Sequence, residues 1–386
     1  MRPVGCHNEV MTTEIAIIGA GIAGLSAASE LAEHRGTGEG ILVVEAERDA
    51  AIHTSSRSAQ QLIPSYGPEP VLELTRWSIA RLLEAGNYLA APLAWPSSFV
   101  VAGSPEDVAA MTVPGLRTLE GAELFELCPE LRVNPQRFRT AAVDESAVRT
   151  DGTALVAWHR ERALAAGVEI RTNSRVTGAR RAGDLWELTL GAAPPKTVRA
   201  ATVVNAAGAW ADEVGALFGA APQGLRPLRR TAALVTLAEP MPPEHPMVDD
   251  AAEDWYYRPD AAGAMISLGE AEPSEPCDAQ PHEGAVAGLI AMIERETSLR
   301  ITGVVKAWTG LRTERPSDVP VCGWDPVAPG MFWLAGQGGY GFQTSSALAR
   351  AAAELVLRGE VGDWLSPATR DALAPDGSPD QSATPR

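Results

Sequence analysis

Two kinds of hydrophobic patterning divide the chain. Near its start, Glu14 to Ile18 reads as a short apolar strand and Ile22 to His34 as a helix with Leu25, Ala28, Leu31 and Ala32 on one face. Ile41 to Val44 follows as an aliphatic strand. Strand, glycine-rich turn, helix and strand in that order predict a βαβ unit whose parallel sheet is covered on both faces. Later, VEIRTNSRV and LWELTL read as strands, and ATVVNAAGAWADEVGALF as a strand running into a helix. MFWLAG is a last strand, followed by a helix from about Thr344 to Leu357.

Segments 90–145 and 225–308 have another rhythm. RTAALVTLAEP and GAMISLGEA alternate apolar and polar residues between turn residues, as the strands of an antiparallel sheet do. The expected fold class is therefore α/β, with a Rossmann-type domain assembled from 11–89, 146–224 and 309–365 and a second, sheet-rich domain, 90–145 and 225–308, inserted into it. Residues 366–386 are rich in Pro, Ser, Ala and Asp and are expected to be a flexible tail. A Met-led segment opens at Met11, so the residues ahead of it are expected to be a start-site extension without function.

At 386 residues, with 45% hydrophobic and 21% charged side chains, the composition is that of a globular protein too long for one simple core. The net charge of −17 repels phosphate backbones and anionic headgroups, so nucleic acid is not an expected partner. Any carboxylate ligand must then find a local group of arginines. Cys6, Cys128, Cys277 and Cys322 lie far apart, without C-x-x-C or histidine at ligand spacing. That argues against disulfides and a structural metal, and for a reduced, cytoplasmic location. No apolar run reaches the roughly 18 residues that span a bilayer, so no transmembrane segment is expected.

The sharpest chemical signal is GAGIAG, comprising Gly19, Ala20, Gly21, Ile22, Ala23 and Gly24, at the strand-to-helix turn. Gly19 suits the tight turn, Gly21 the approach of a pyrophosphate and Gly24 close packing of helix on strand. Free N–H groups at the helix start stabilise phosphate charge. Glu45 ends the second strand, followed by Ala46, where a carboxylate accepts hydrogen bonds from ribose hydroxyls and disfavours a 2′-phosphate. A second glycine-rich turn, AGQGGYGFQTS, precedes the last helix. NAD has no need of it, whereas an extended FAD uses such a turn near its ring, with helix N-terminal amides stabilising charge on the reduced flavin.

Taken in order, IGAGIAG, TSSRSAQ, VNAAGAWAD, WYYRPD, WTGLR and AGQGGYGFQTS resemble the D-amino acid oxidase and dehydrogenase group of FAD-dependent amine oxidoreductases, most of all its bacterial D-arginine dehydrogenase type. The resemblance runs from about Thr13 to Leu357. It implies a Rossmann-type (GR2-like) FAD-binding domain with an inserted α+β substrate domain built on an antiparallel sheet. It also implies that Ser55, Ser56, Arg57, Ser58, Ala59 and Gln60 wrap the flavin. Val176, Ala206, Ala207, Gly208 and Trp210 would pass close to the cofactor. Gln337, Gly338, Gly339, Tyr340, Gly341, Gln343 and Thr344 would lie on the ring side, and Arg312 would reach both substrate and flavin. No cysteine is placed to tether the ring, since Cys322 lies in the PVCG strand entry, so the FAD is expected to be non-covalent.

Oxidising an amino acid to its imino acid moves the Cα hydrogen, with its electron pair, to flavin N5. Positioning is the protein's task. A guanidinium suits a carboxylate because two parallel N–H bonds fix its orientation. The resemblance assigns that clamp to Arg312, offers the Tyr256 phenol to the same carboxylate, and places Tyr66 near the substrate. Tyr257 points the other way if its segment is a strand. Arg230, in the cluster Arg226, Arg229 and Arg230, either neutralises the bound carboxylate or lies on a solvated strand edge, and Tyr340 either closes over the pocket or packs.

Gln61 stands where D-arginine-type relatives have a histidine, and Ala90 and Ala91 stand where they have an acid. The expectation is therefore a neutral or apolar side-chain pocket, with Leu62, Ile63, Trp95 and Phe99 as its candidates. Gln61 cannot act as a general base. The expected activity is oxidation of the C–N bond of a small amino acid, D-configured by the resemblance, to a 2-oxo acid and ammonia. Alternatives are a glycine or sarcosine oxidase, a 2-hydroxy acid dehydrogenase, and a flavin-binding subunit of a larger complex. The substrate partner is a small carboxylate-bearing amine, and oxygen, a quinone and a carrier protein are all open as electron acceptor.

Overall fold

The structure is a computed structural model and describes residues 10–191 and 196–376. The residues ahead of Val10, including the expected extension up to residue 9 with Cys6, and the tail from 377 lie outside the described part. Two units emerge from the chain. One takes the chain up to Ser56, Thr153–Arg226, and everything from Thr313 on; the other takes Arg57–Gly152 and Pro227–Arg312.

In the first unit, Met11–Ile18 pairs in parallel with Ile41–Val44 on one side and with the long strand Lys196–Asn205 on the other. Glu169–Arg171 extends the parallel set beyond Ile41–Val44. The far side of Lys196–Asn205 is shared: Leu185–Leu190 pairs with its first half antiparallel, and Met331–Ala335 with its end in parallel. Val176–Ala182 and Val321–Trp324 add antiparallel edges, so the eight-stranded sheet is mixed and not wholly parallel.

The helix Ile22–Arg35 packs against Ser345–Arg358. Every residue from Gly24 to Ala32 is buried, so this helix has no single apolar face of the kind its spacing predicts. Ala, Ser and Gly make that possible, because their small side chains let neighbouring backbone approach on all sides. The opposite face of the sheet carries Ile18, Val44, Val203 and Trp333 in one cluster with Ala211 and Phe218.

The second unit is built on a nine-stranded sheet, antiparallel except where Phe99–Gly103 runs parallel to Met247–Asp250. A small sheet of Gln61–Leu62, Val148–Thr150 and Ala94–Pro96 stands beside it. Residues 57–89 and 146–152 thus fall with the inserted segments and not, as the patterning suggests, with the dinucleotide half. Hydrogen bonds explain the shift: Arg57 donates to the Thr309 and Ala279 carbonyls, and Arg258 Nε donates to the Ala59 carbonyl at 2.6 Å. The expected tail starts as structure. Pro367–Leu373 is a helix capped by the Ser366 hydroxyl, and the guanidinium of buried Arg315 donates to the carbonyls of Ala372 and Ala374.

Alternation along the nine strands sorts side chains onto two faces. One face buries Trp255, Tyr257, Val248 and Ile266 with Leu289 and Ile293 of the helix Ala285–Glu296. The other gathers Ile63, Phe99, Val101, Tyr256 and Met265, with Tyr66 and Trp308 packed against them.

Candidate functional site

The first unit contains a cavity of about 330 Å³ at the carboxyl ends of Met11–Ile18 and Ile41–Val44, where open α/β sheets bind ligands. Gly19, Gly21, Glu45 and Ala46 line it, as do Ser55, Val176, Ala206, Ala207, Gly208 and Trp210. Glu45 Oε2 accepts from the Ala20 N–H at 2.8 Å and Oε1 from the Glu47 N–H at 2.9 Å, which fixes the carboxylate at the cavity wall. Gly21 caps the helix without a side-chain bond, and the first turn holds no acid that would repel a phosphate. Ser55 accepts from the Ile22 N–H at 3.0 Å. His53 and Trp210 close one wall with ring centroids 4.8 Å apart.

The three glycines hold distinct positions. Gly19 has φ +103, and a Cβ there would lie 2.5 Å from the Ala206 carbonyl oxygen. At Gly24 a Cβ would lie 1.9 Å from the Gly19 carbonyl oxygen, so helix and turn touch backbone to backbone. Ile22 and Ala23 form the helix start between them.

The second glycine turn lies outside the residues lining the cavity but meets the first turn: a Cβ on Gly341 would be 3.9 Å from the Ile22 side chain. Gly338, at φ +52, donates its N–H to the Thr313 carbonyl at 2.7 Å. Gln337 Nε2 donates to Leu334 O at 3.3 Å, and the Thr344 hydroxyl to Tyr340 O at 2.8 Å. Gly339 sits at the tip, and Gln343 and Thr344 are buried. Tyr340 donates its hydroxyl to Asp318 at 3.0 Å, so it is anchored within this unit.

Of TSSRSAQ, only Ser55 among the predicted flavin-wrapping residues lines the cavity. Ser56 turns its hydroxyl to the Ile52 and His53 carbonyls. Arg57 spends its guanidinium on Thr309, Ala279 and Asp278 in the second unit, and Ser58 accepts from the N–H of Gln60, whose φ is +62. Ala59 accepts from Arg258 Nε at 2.6 Å.

The second unit brings the other candidates together. Arg312 Nη2 donates to the Tyr256 hydroxyl at 3.1 Å, and its guanidinium carbon lies 5.9 Å from the Tyr256 ring. Cross-strand register places Tyr256 opposite Asp249 on one side and Ser267 on the other, and Ser267 opposite Ala232, two residues on from Arg230. Arg230 is not on a solvated edge. Its strand, Arg226–Leu237, is flanked by Gly263–Leu268, Glu272–Pro273 and Ile301–Glu314, and its Nη1 donates to Leu268 O at 2.9 Å. Burial, then the like charge of Arg312, lowers its pKa. Tyr66 is raised by burial, with Arg312 pulling the other way.

Asp249 escaped the sequence reading. Burial pushes its carboxyl up to about 7, against the pull of Arg230 and Arg312. The doublet MVDD, placed just before the WYYRPD hairpin, was its signal, but which of the two acids shares a face with Tyr256 depends on register. Gln61 Nε2 donates to Ser97 O at 2.6 Å, and its buried Oε1 has no hydrogen-bond partner among the described residues. Ile63 and Phe99 join the cluster around Tyr256, Leu62 is buried, Trp95 is half-buried, and Ala90 and Ala91 are exposed.

On the opposite face, Tyr257 and His245 Nε2 both bond Glu130, beside Cys128. Linear spacing had given no metal-like group, yet folding draws these three within 4.8 Å. Glu130 is satisfied by Tyr257 and His245, and His245 Nδ1 meets the Pro246 carbonyl at 2.8 Å, so the group reads as a buried hydrogen-bond network.

The family model described as "DAO: FAD dependent oxidoreductase" matches residues 14–355. The chain belongs to this family. As a DAO-family oxidoreductase it is an enzyme with FAD as cofactor, and the residues present fit that group: Glu45 and the Ala206–Gly208 turn line the cavity, and Gly21 caps Ile22–Arg35 with no side chain of its own in the way. Cys322 is buried in Val321–Trp324 with its thiol pushed up to about 12 by burial, which makes it inert. The mouse protein "FAD-dependent oxidoreductase domain-containing protein 1" is 26% identical over 413 residues, covering 92% of this chain and 83% of its own. Glycine oxidase from Geobacillus kaustophilus superposes with a TM-score of 0.79 at 19% identity, covering 95% of this chain and 99% of that one. L-α-Glycerophosphate oxidase from Mycoplasma pneumoniae, with FAD bound, gives 0.78 at 18%, covering 92% and 98%. No helix among the described residues is long and apolar enough to cross a membrane.

Proposed function

We propose that this DAO-family oxidoreductase oxidises the C–N bond of a small neutral amino acid to the imino acid, which water converts to a 2-oxo acid and ammonia. The observation that carries this reading is Arg312 bonded to the Tyr256 phenol, with Arg230, Tyr66 and the Asp249 carboxylate within electrostatic reach, beside an apolar cluster that includes Ile63, Phe99 and Met265. A carboxylate entering there meets two guanidiniums and the phenols. Each charge-assisted bond contributes roughly 1.5–3 kcal/mol, enough to hold a small acid against the repulsion of an acidic chain.

Bound FAD supplies a hydride acceptor, and the residues' task is to hold Cα about 3–3.5 Å from it. The apolar neighbours Ile63, Phe99 and Met265 suit a neutral side chain, and Ala90 and Ala91 stand where the D-arginine type, by the resemblance, offers an acid to a cationic one. The D enantiomer follows from the resemblance of the motifs. Anaerobic bleaching of the flavin by matched D- and L-amino acids, glycine, sarcosine and 2-hydroxy acids tests the reading. Bleaching by hydroxy acids alone sinks it.

A further inference from the structure

Removing a hydride from an amino acid's Cα needs the nitrogen lone pair to form the C=N bond as the C–H pair departs. At neutral pH the amine of a free amino acid is an ammonium, and its lone pair is tied up in the fourth N–H bond. Something must take that proton. On the face around Arg312, Arg230 is a donor only, as is Arg312 itself, and Tyr66 is held protonated by burial. Gln61 cannot accept a proton at this pH. Of the histidines, His245 bonds Glu130 on the other face and His282 sits exposed beside Glu272.

We propose that Asp249 receives the substrate's ammonium group and takes its proton before the Cα hydrogen leaves. This rests on the amino acid reading above. Register sets Asp249 directly opposite Tyr256, whose hydroxyl takes the Arg312 bond, so the carboxylate shares the face of the clamp. No hydrogen bond from the described residues occupies it, whereas neighbouring Asp250 points the other way along the strand and is held by Arg137 at 2.6 Å.

The groups acting on Asp249 are Arg230 and Arg312 from two other strands, which favour its charge, and Asp250 and Glu253 beside it, which oppose it. With burial the largest influence, its pKa near 7 lets it lose a proton to solvent and regain one from substrate at neutral pH. A zwitterion also matches the site: its carboxylate meets the guanidiniums and its ammonium meets Asp249. The balance is simple. The N–H bond breaks and the Asp249 O–H bond forms; the Cα–H bond breaks with its electron pair leaving as hydride to the flavin; the nitrogen lone pair closes the C=N bond.

The test uses FAD-loaded protein and two non-reacting probes of one shape: 2-aminoisobutyrate, which has an amine but no Cα hydrogen and no handedness, and isobutyrate, which lacks the amine. Binding is followed by the shift of the flavin spectrum. The wild type is expected to lose affinity for 2-aminoisobutyrate as pH falls through about 7, while isobutyrate binds no more weakly. Asp249→Asn should weaken 2-aminoisobutyrate at least tenfold, leave isobutyrate as tight or tighter, and abolish the pH dependence. Its kcat/KM with a substrate amino acid should drop roughly 100-fold or more at neutral pH and recover at alkaline pH, where the amine is already free.

Equal effects on both probes, or an acid limb that survives in Asp249→Asn, overturn the assignment. The wild-type comparison stands even where the variant loses its flavin. If no amino acid bleaches the wild-type flavin, the proposed function fails first. Bleaching with an unaltered Asp249→Asn profile refutes only the role of Asp249.

Discussion

Gly24→Ala puts a number on the first turn. The new Cβ would sit 1.9 Å from the Gly19 carbonyl oxygen, and contacts under 3.0 Å are essentially never seen, so helix or turn must move by about 1.1 Å. The neighbour is backbone, not the end of a flexible side chain, and the helix is buried along Gly24–Ala32, so neither partner yields cheaply. Overpacking of this kind costs typically 1–3 kcal/mol, and the upper end applies here. At roughly 2 °C per kcal/mol for a chain of this size, the melting temperature should fall by about 6 °C.

The same shift moves the N–H groups of the first turn away from the pyrophosphate, so FAD affinity should fall with it. Gly36→Ala is the control: it ends the same helix at φ +74 with nothing within 4 Å of its Cβ, so only backbone strain of about 1 kcal/mol applies. Thermal melts and FAD titration of both variants settle the matter. A Gly24→Ala protein that melts with the wild type and retains full flavin would refute the close approach and the phosphate role built on it.

Further outcomes are expected elsewhere. Arg312→Met should raise KM about 100-fold, the loss of roughly 3 kcal/mol of charge-assisted bonding, while FAD affinity stays put; an unchanged KM moves the clamp to another residue. Tyr256→Phe removes the hydroxyl that accepts from Arg312 and should raise KM about fivefold, by a neutral bond's roughly 1 kcal/mol, and no change would return Tyr256 to the core. His245 is disfavoured as a cation by burial, but the bond and charge of Glu130 outweigh this and raise its pKa. Its stabilising contribution is therefore complete below about pH 6.5 and lost as pH rises through the folded value. Denaturant midpoints at about pH 6 and about pH 9 should differ more in the wild type than in His245→Gln.

The local signals were legible. Ile41–Val44 stands as its residues predict, and GAGIAG lies at a strand-to-helix turn with Glu45 facing it. Such features depend on neighbours a few residues apart. What the sequence hid depends on register and on long-range bonds. Arg57 bonds Thr309 and Asp278, partners more than two hundred positions away that no local pattern names. Asp249 and Asp250 are equivalent in the chain and opposite in the sheet. Pro367–Leu373 sits in a stretch whose composition suggests disorder, yet it caps with Ser366 and is held by Arg315.

The central claim is that one unit grips FAD and the other a small amino acid. Anaerobic titration of the purified, yellow protein with D- and L-alanine while recording its visible spectrum tests it most directly. Stoichiometric bleaching of a flavin band by one enantiomer is the predicted result. A colourless protein that takes up no FAD, or a flavin that no amino acid reduces, would contradict it.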